Sequence, residues 1–182
     1  MTRESVAGAE SLFAAHQRGV FRYLCRIVGQ PDAARDLTQE VFLRVTRTPV
    51  PDGDGNEQRA WVFRIARNLA LNHVRDRQRR PDPAPLADVD RPATQELRVA
   101  LDQALAALAD LDRDVFLLRE SAGLSYQEIA AACEISVDAV RSRLHRARQE
   151  LRARLSDPLA GRRTGGVRWV PIGSAGKSED ES

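Results

Sequence analysis

Between two long stretches of helical periodicity, residues 81–92 read PDPAPLADVDRP, with prolines at 81, 83, 85 and 92. Proline has no amide hydrogen to donate and biases the residue before it away from helical backbone. No single helical scaffold passes through such a stretch. The chain is therefore expected as two folding units, 1–80 and 94–156, joined by a flexible Pro-rich tether over 81–93. A length of 182 residues has room for two small domains and little more. The residues 157–182 are rich in Gly and Ser, end in an acidic cluster, and are expected to form a disordered tail.

Both units carry the three-and-four spacing of amphipathic helices. In SLFAAHQRGVFRYLCRIVG, Leu12, Val20, Leu24, Ile27 and Val28 fall largely on one stripe, and Gly29 is placed to cap the C-terminus. Leu37, Val41 and Val45 repeat the pattern. The segment TPVPDGDGNEQ, 48–58, breaks it with prolines, glycines and acids, and a further helix follows from Arg59 to Arg80 through Val62, Ile65 and Leu69. The fold class is all-α: two small helical bundles, with no strand pattern apart from VRWVPI in the tail.

The second unit contains SYQEIAAACEISVDAVRSRLHRARQELRARL, 125–155. Ser125 and Glu128 have the spacing of a capping box, which starts a short helix, and Ser136 is placed to cap a second. The intervening CEIS has the length of the tight turn in a helix-turn-helix. Ile129, Ala130, Ile135 and Val140 are expected to lock the two helices together. Along the second helix Val137, Val140, Leu144, Ala147, Leu151 and Leu155 form an apolar stripe. The face turned away carries Asp138, Ser142, His145, Arg146 and Gln149, bordered by Arg141, Arg148 and Arg152, with Arg143 and Arg154 lying off it. Hydrogen-bonding heads flanked by positive charge suit base edges in a major groove, with outer arginines on phosphates.

Net charge is only +2, so total charge does not mark a nucleic-acid binder; distribution does. Lys177 is the sole lysine among 28 basic residues, and arginine's planar fork suits phosphate and base edges. Between 59 and 80, Arg59, Arg64, Arg67, Arg75, Arg77, Arg79 and Arg80 face Asp76 alone, with Trp61 and Phe63 interleaved. Aromatics beside a basic surface suit unpaired bases; a core role for Trp61 satisfies the same pattern.

Several classes are excluded or disfavoured. His16, His73, His145, Cys25 and Cys133 show no metal-ligand spacing, and there is no phosphate-cradling loop or nucleophile motif. The expectation is a protein with no catalytic residues, no metal, no cofactor and no small-molecule substrate. With no membrane-length apolar run and no signal core at the N-terminus, a cytoplasmic chain with reduced thiols is expected.

Taken in order, DLTQEVFLRV (36–45), RAWVFRIARNLALNHVR (59–75), the tether, and DVFLLRESAGLSYQEIAAACEISVDAVRSRLHRAR (114–148) resemble bacterial RNA polymerase sigma factors of the compact extracytoplasmic-function (ECF) type. The resemblance covers roughly Phe13 to Leu155. It implies a protein that binds core RNA polymerase, through the β′ clamp helices and the β flap, and directs it to promoters. Asp36, Gln39, Glu40, Phe42 and Arg44 match the polymerase-docking motif, with a partly core position as the alternative for Phe42. The 48–58 loop matches the segment that captures a flipped −10 base, and Trp61, Arg64, Arg67, Asn68, Asn72 and Arg75 the helix that holds the opened strand. Arg141, Ser142, His145 and Arg146 match the readers of the −35 duplex; Arg148 and Arg152, on the border of the same face, are expected to contact phosphates. The tether would pass through the polymerase near its active site and RNA exit path, and the resemblance admits an anti-sigma protein as a further partner. One departure is Leu108-Ala109, where the family usually has Leu-Pro, with the proline as a pre-organised first helical residue. The competing reading of the helix-turn-helix alone is a stand-alone transcriptional regulator, for which the first unit has no obvious purpose.

Overall fold

The computed structural model describes residues 3–79 and 93–156. Apart from Ala93, which opens a helix, the expected tether lies outside the described residues, as do the tail and its VRWVPI segment. Among the described residues the chain is all-α: α1 (Arg3–Val28), α2 (Pro31–Arg47), α3 (Gly55–Arg79), α4 (Ala93–Ala106), α5 (Asp110–Glu120), α6 (Tyr126–Cys133) and α7 (Val137–Ser156). The first three pack on one another around Val20, Leu24, Val41, Val45, Val62 and Ala66, and the last four around Val115, Leu118, Ile129, Val140 and Leu144.

The helix boundaries have local causes. α1 stops because Gly29 adopts the left-handed conformation, φ 73°, as its position in the apolar pattern predicts. Pro31 then opens α2 at its first position, where a missing amide hydrogen costs nothing. α3 begins earlier than expected. GNEQ is helix rather than loop, because Asp54 accepts hydrogen bonds at Oδ1 from the amides of Asn56 and Glu57, both at 2.9 Å. The Glu57 amide foremost, with that of Asn56, holds the Asp54 carboxyl below its usual range. The loop after α2 is thereby shortened to 48–54.

In the second unit the expected capping box is present: the Glu128 amide donates to Ser125 Oγ at 3.2 Å, while the Glu128 carboxylate accepts from the Ser125 amide. The Ala139 amide donates to Ser136 Oγ at 3.1 Å and caps α7. The turn between is made by Glu134 in the left-handed region, φ 57°. Ala109 is not the first helical residue of α5 but its N-cap, with φ −56°. Leu155, expected on the buried stripe of α7, is exposed, so the packed seam ends at Leu151.

The two units are not separate bodies. α3 lies along α6, α1 touches α5, and one hydrophobic cluster runs through both halves. Tyr23 of α1, buried among Val20, Leu24 and Ile27, donates to Asp114 of α5, and Arg67 of α3 donates to the other oxygen of the same carboxylate.

Candidate nucleic-acid interface

α7 is held by its apolar stripe against α5 and α6, which turns its polar face outward. Arg141, Ser142, His145, Arg146, Arg148 and Arg152 are all exposed on it. They are not equally free. Arg141 is tied to Asp138, also exposed, at 2.7 Å within the first turns of the helix. Arg148 reaches Glu120 at the end of α5, 2.9 Å away. Arg146 leans back onto Asp112 of α5, its Nε 3.2 Å from Oδ2. Arg143, expected to be merely solvated, is half-buried and donates to Asp112 Oδ1 at 2.8 Å. Arg154 pairs with Glu150 one turn back. The exposed pairs of Arg141, Arg148 and Arg154 contribute little to stability and leave those guanidinium groups free to exchange partners.

On α3 the predicted residues Trp61, Arg64, Asn68, Asn72 and Arg75 follow one another at spacings of three and four, a single stripe. Asn68, Asn72 and Arg75 are exposed, and Trp61 packs half-buried against the core, so its aromatic surface is shared between the two readings. At the other end the arginines are occupied by the second unit. Arg59 donates to the Ala122 carbonyl at 2.7 Å and lies 3.4 Å from Glu128. Arg64 donates to the Ala131 carbonyl at 2.7 Å and lies 3.6 Å from Glu134. Arg67 is mostly buried against Asp114. These partners are carbonyl oxygens and anionic carboxylates, in whose place base edges would offer carbonyl oxygens and the backbone anionic phosphates. Beside the start of α3, the 48–54 loop and Gly8 border a cleft of about 600 Å³, lined by Pro49, Val50, Pro51, Asp52, Gly53 and Gln58.

The buried polar groups between the halves are shifted as their surroundings require. Burial first, and the Asp114 charge second, push the Tyr23 phenol well up, so it remains a donor. Burial also raises the Asp114 carboxyl, against the opposing pull of Arg67. The Cys133 thiol is pushed up to about 12, chiefly by burial, and behaves as a small apolar side chain. Cys25 is half-buried and is likewise raised by burial. Among the described residues no group of His, Cys, Asp and Glu is arranged to hold a metal.

On α2, Asp36 and Gln39 are exposed, and Glu40 pairs with Arg44 at 2.8 Å. Phe42 does not belong with them. It is buried at 6 % exposure because the apolar seam of α2 runs through Val41, Phe42 and Val45, and its ring packs edge-on against Phe13 of α1. The residue on the outer face is Leu43, 47 % exposed, one turn beyond Gln39 and Glu40, with Phe13 also exposed nearby. Sequence reasoning missed Leu43 and Phe13, although a leucine outside an apolar stripe is itself a signal of a contact surface. It also missed Tyr23, Asp112 and Asp114. Asp114 shares a stripe with Leu117 and Leu118, and an acid on a buried stripe requires a buried partner.

Comparison with known proteins agrees in both halves. Residues 12–80 match the family described as Sigma-70 region 2, and residues 98–151 match Sigma-70, region 4. The ECF RNA polymerase sigma factor SigE of Mycolicibacterium smegmatis is 36% identical over 154 residues, covering 79% of this chain and 60% of SigE. SigC of Mycobacterium tuberculosis is 35% identical over 153 residues, covering 79% of this chain and 81% of SigC. The chain spans only 52% of another relative, the probable ECF sigma factor SigI of M. tuberculosis, at 33% identity. The solved structure of CnrH in complex with the cytosolic domain of CnrY superposes with a TM-score of 0.63 at 26% identity, covering 84% of this chain and 93% of CnrH. With both regions matched in order and a relative of 35% identity covered over 81% of its length, the chain belongs to the ECF family of RNA polymerase sigma factors.

Proposed function

We propose that this chain is a promoter-specificity subunit: it binds core RNA polymerase and directs initiation by reading a −35 duplex and holding an opened −10 strand. The observation that carries the reading is the outward face of α7, where Arg141, Ser142, His145, Arg146 and Arg152 are exposed on a helix locked from behind by Val140, Leu144 and Ala147. Such a face offers donors for base edges at its centre and charges for phosphates at its rim. The polymerase contact is assigned to the outer face of α2, Asp36, Gln39, Glu40, Leu43 and Arg44. Phe42 supports that face from beneath.

The −10 strand is assigned to the cleft of the 48–54 loop and to the α3 stripe of Trp61, Arg64, Asn68, Asn72 and Arg75. Arg67 joins it only when freed from Asp114. Capture of an unstacked base in the cleft would offset an unpairing cost of a few kcal/mol. Because Arg59, Arg64 and Arg67 are bound to α5, α6 and the segment between them, strand binding requires them to exchange those oxygens for nucleic acid, and the halves to part. Core polymerase would drive this by holding the halves at promoter spacing, so that two weak contacts act together. The subunit performs no chemistry of its own, and its place of action is the cytoplasm. No helix among the described residues is long and apolar enough to cross a membrane. An anti-sigma protein is a further partner on this reading, as NepR is for the sigma factor RpoE of Bartonella quintana.

Run-off transcription tests the reading. Core polymerase with this chain should yield discrete products from a subset of genomic fragments, and neither component alone should do so. A gel shift in which the chain alone binds duplex DNA tightly, with no polymerase-dependent product, would instead establish a stand-alone regulator.

A further inference from the structure

Asp112 is almost completely buried in the first turn of α5, yet both its partners are on α7. Arg143 Nη1 donates to Oδ1 at 2.8 Å, Arg146 Nη2 donates to the same oxygen at 3.3 Å, and Arg146 Nε lies 3.2 Å from Oδ2. The two arginines differ in exposure. Arg143 keeps 29% of its side chain accessible, while Arg146 keeps 58%. Arg143 is therefore the inner partner and Arg146 the outer one.

We propose that Asp112 is a positioning residue for base readout, acting through Arg146; the inference rests on the −35 assignment of α7 made above. The Asp112 carboxylate accepts from Arg146 Nη2 and holds Nε within ion-pair distance, and two contacts along one edge of a planar guanidinium restrict how that plane can turn. The contacts to Asp112 do not use Nη1, so Nη1 and the second hydrogen of Nη2 remain able to donate. Guanine O6 and N7 accept such a two-pronged donor in the major groove. A free arginine must lose rotamer freedom on binding, whereas one already held loses less. Arg143 completes the device from the inside: its charge offsets that of the buried carboxylate, so Asp112 is not spent on Arg146 alone. Arg143 is thus a buttress and not a DNA contact.

The test uses holoenzyme and a promoter library randomised across the −35 element, read by transcription of each member. Arg146→Ala identifies the base pair that Arg146 reads. At that pair Asp112→Ala and Asp112→Asn should reduce a preference of roughly tenfold or more to a few-fold, and leave the other positions unchanged. Arg143→Ala should lower output from all members alike. In the double variant Asp112→Ala/Arg146→Ala, the preference should match that of Arg146→Ala alone, the non-additivity expected of residues acting through one contact. Thermal melts of each variant separate loss of fold from loss of readout, and Asp112→Asn, nearly the same shape, keeps the test open if Asp112→Ala is unstable. A common loss across the library, with the preference profile intact, would show that Asp112 only ties α5 to α7 and would overturn the proposal. A gain in output with unchanged preference would overturn it too, by showing that Asp112 withholds Arg146. The underlying assignment fails separately: wild-type output indifferent to the −35 sequence, or an Arg146→Ala profile like wild type, would sink it and this inference with it.

Discussion

Tyr23 and Asp114, ninety-one residues apart, meet in the buried seam between the two halves, where the phenol of α1 donates to a carboxylate of α5 that also accepts from Arg67 of α3. The triad joins three helices across two units. It also withdraws Arg67 from the surface on which its sequence pattern places it.

Removing Asp114 should therefore be far more damaging than removing the Tyr23 hydroxyl. Asp114→Ala strands a largely buried guanidinium and should cost about 3 kcal/mol or more in urea unfolding. Tyr23→Phe deletes one hydrogen bond and keeps the ring's packing, including its edge-on contact with Phe63, and should cost about 1–2 kcal/mol. Because it loosens the closed arrangement, Tyr23→Phe should also raise the affinity of the free chain for a −10 single strand. Equal or weaker strand binding would show that opening the halves is not what limits access.

Stability should fall on mild acidification. His16 is half-buried, and its pKa is lowered from 6.5, first by burial and then by the Arg59 charge, with Glu128 opposing. A histidine with a depressed folded pKa contributes stability above its unfolded pKa and loses it as pH falls through the folded value. The melting temperature should thus decline as pH drops below about 6.5, and His16→Gln should flatten that part of the profile. A variant with the same slope would place the acid sensitivity elsewhere.

The rim and centre of the α7 face should behave differently. Arg152→Ala should weaken holoenzyme binding by a similar factor for all −35 sequences and lower the salt slope by about one. Arg141→Ala, once its exposed pairing with Asp138 is gone, should relax preference at one base pair. Identical uniform losses from both would remove the distinction between base reader and phosphate contact.

Ala109→Pro should stabilise the protein. The N-cap φ of −56° is close to that which a proline ring imposes, and the Ala109 carbonyl still accepts from the Arg113 amide at 2.9 Å. The gain expected is about 0.4–1 kcal/mol, through a less free unfolded chain. A lower melting temperature would mean that Leu108 cannot take the extended backbone that precedes a proline.

Local structure was legible in the sequence wherever a single helix decides it. The apolar stripes of α1, α2 and α7, the Gly29 cap, the Ser125–Glu128 box and the Ser136 cap depend on residues within a turn or two of each other, and each is present. Where a local signal was passed over, as at Asp54, the helix boundary shifted by one turn. Even the outer face of α7 follows from its inner one, because a helix with one locked side has only one side left to present. The partners of the arginines do not follow in this way. Nothing near Arg143 in the chain indicates Asp112, nothing near Arg67 indicates Asp114, and nothing near Arg64 indicates the Ala131 carbonyl. Those pairs depend on how α3 and α7 lie against α5 and α6. A guanidinium reaches several ångströms from its backbone and takes the nearest oxygen, so its role is set by tertiary packing. Sequence by itself determined the helices, their faces and the family; only the tertiary structure decided which arginines are exposed to bind a partner and which are already bound.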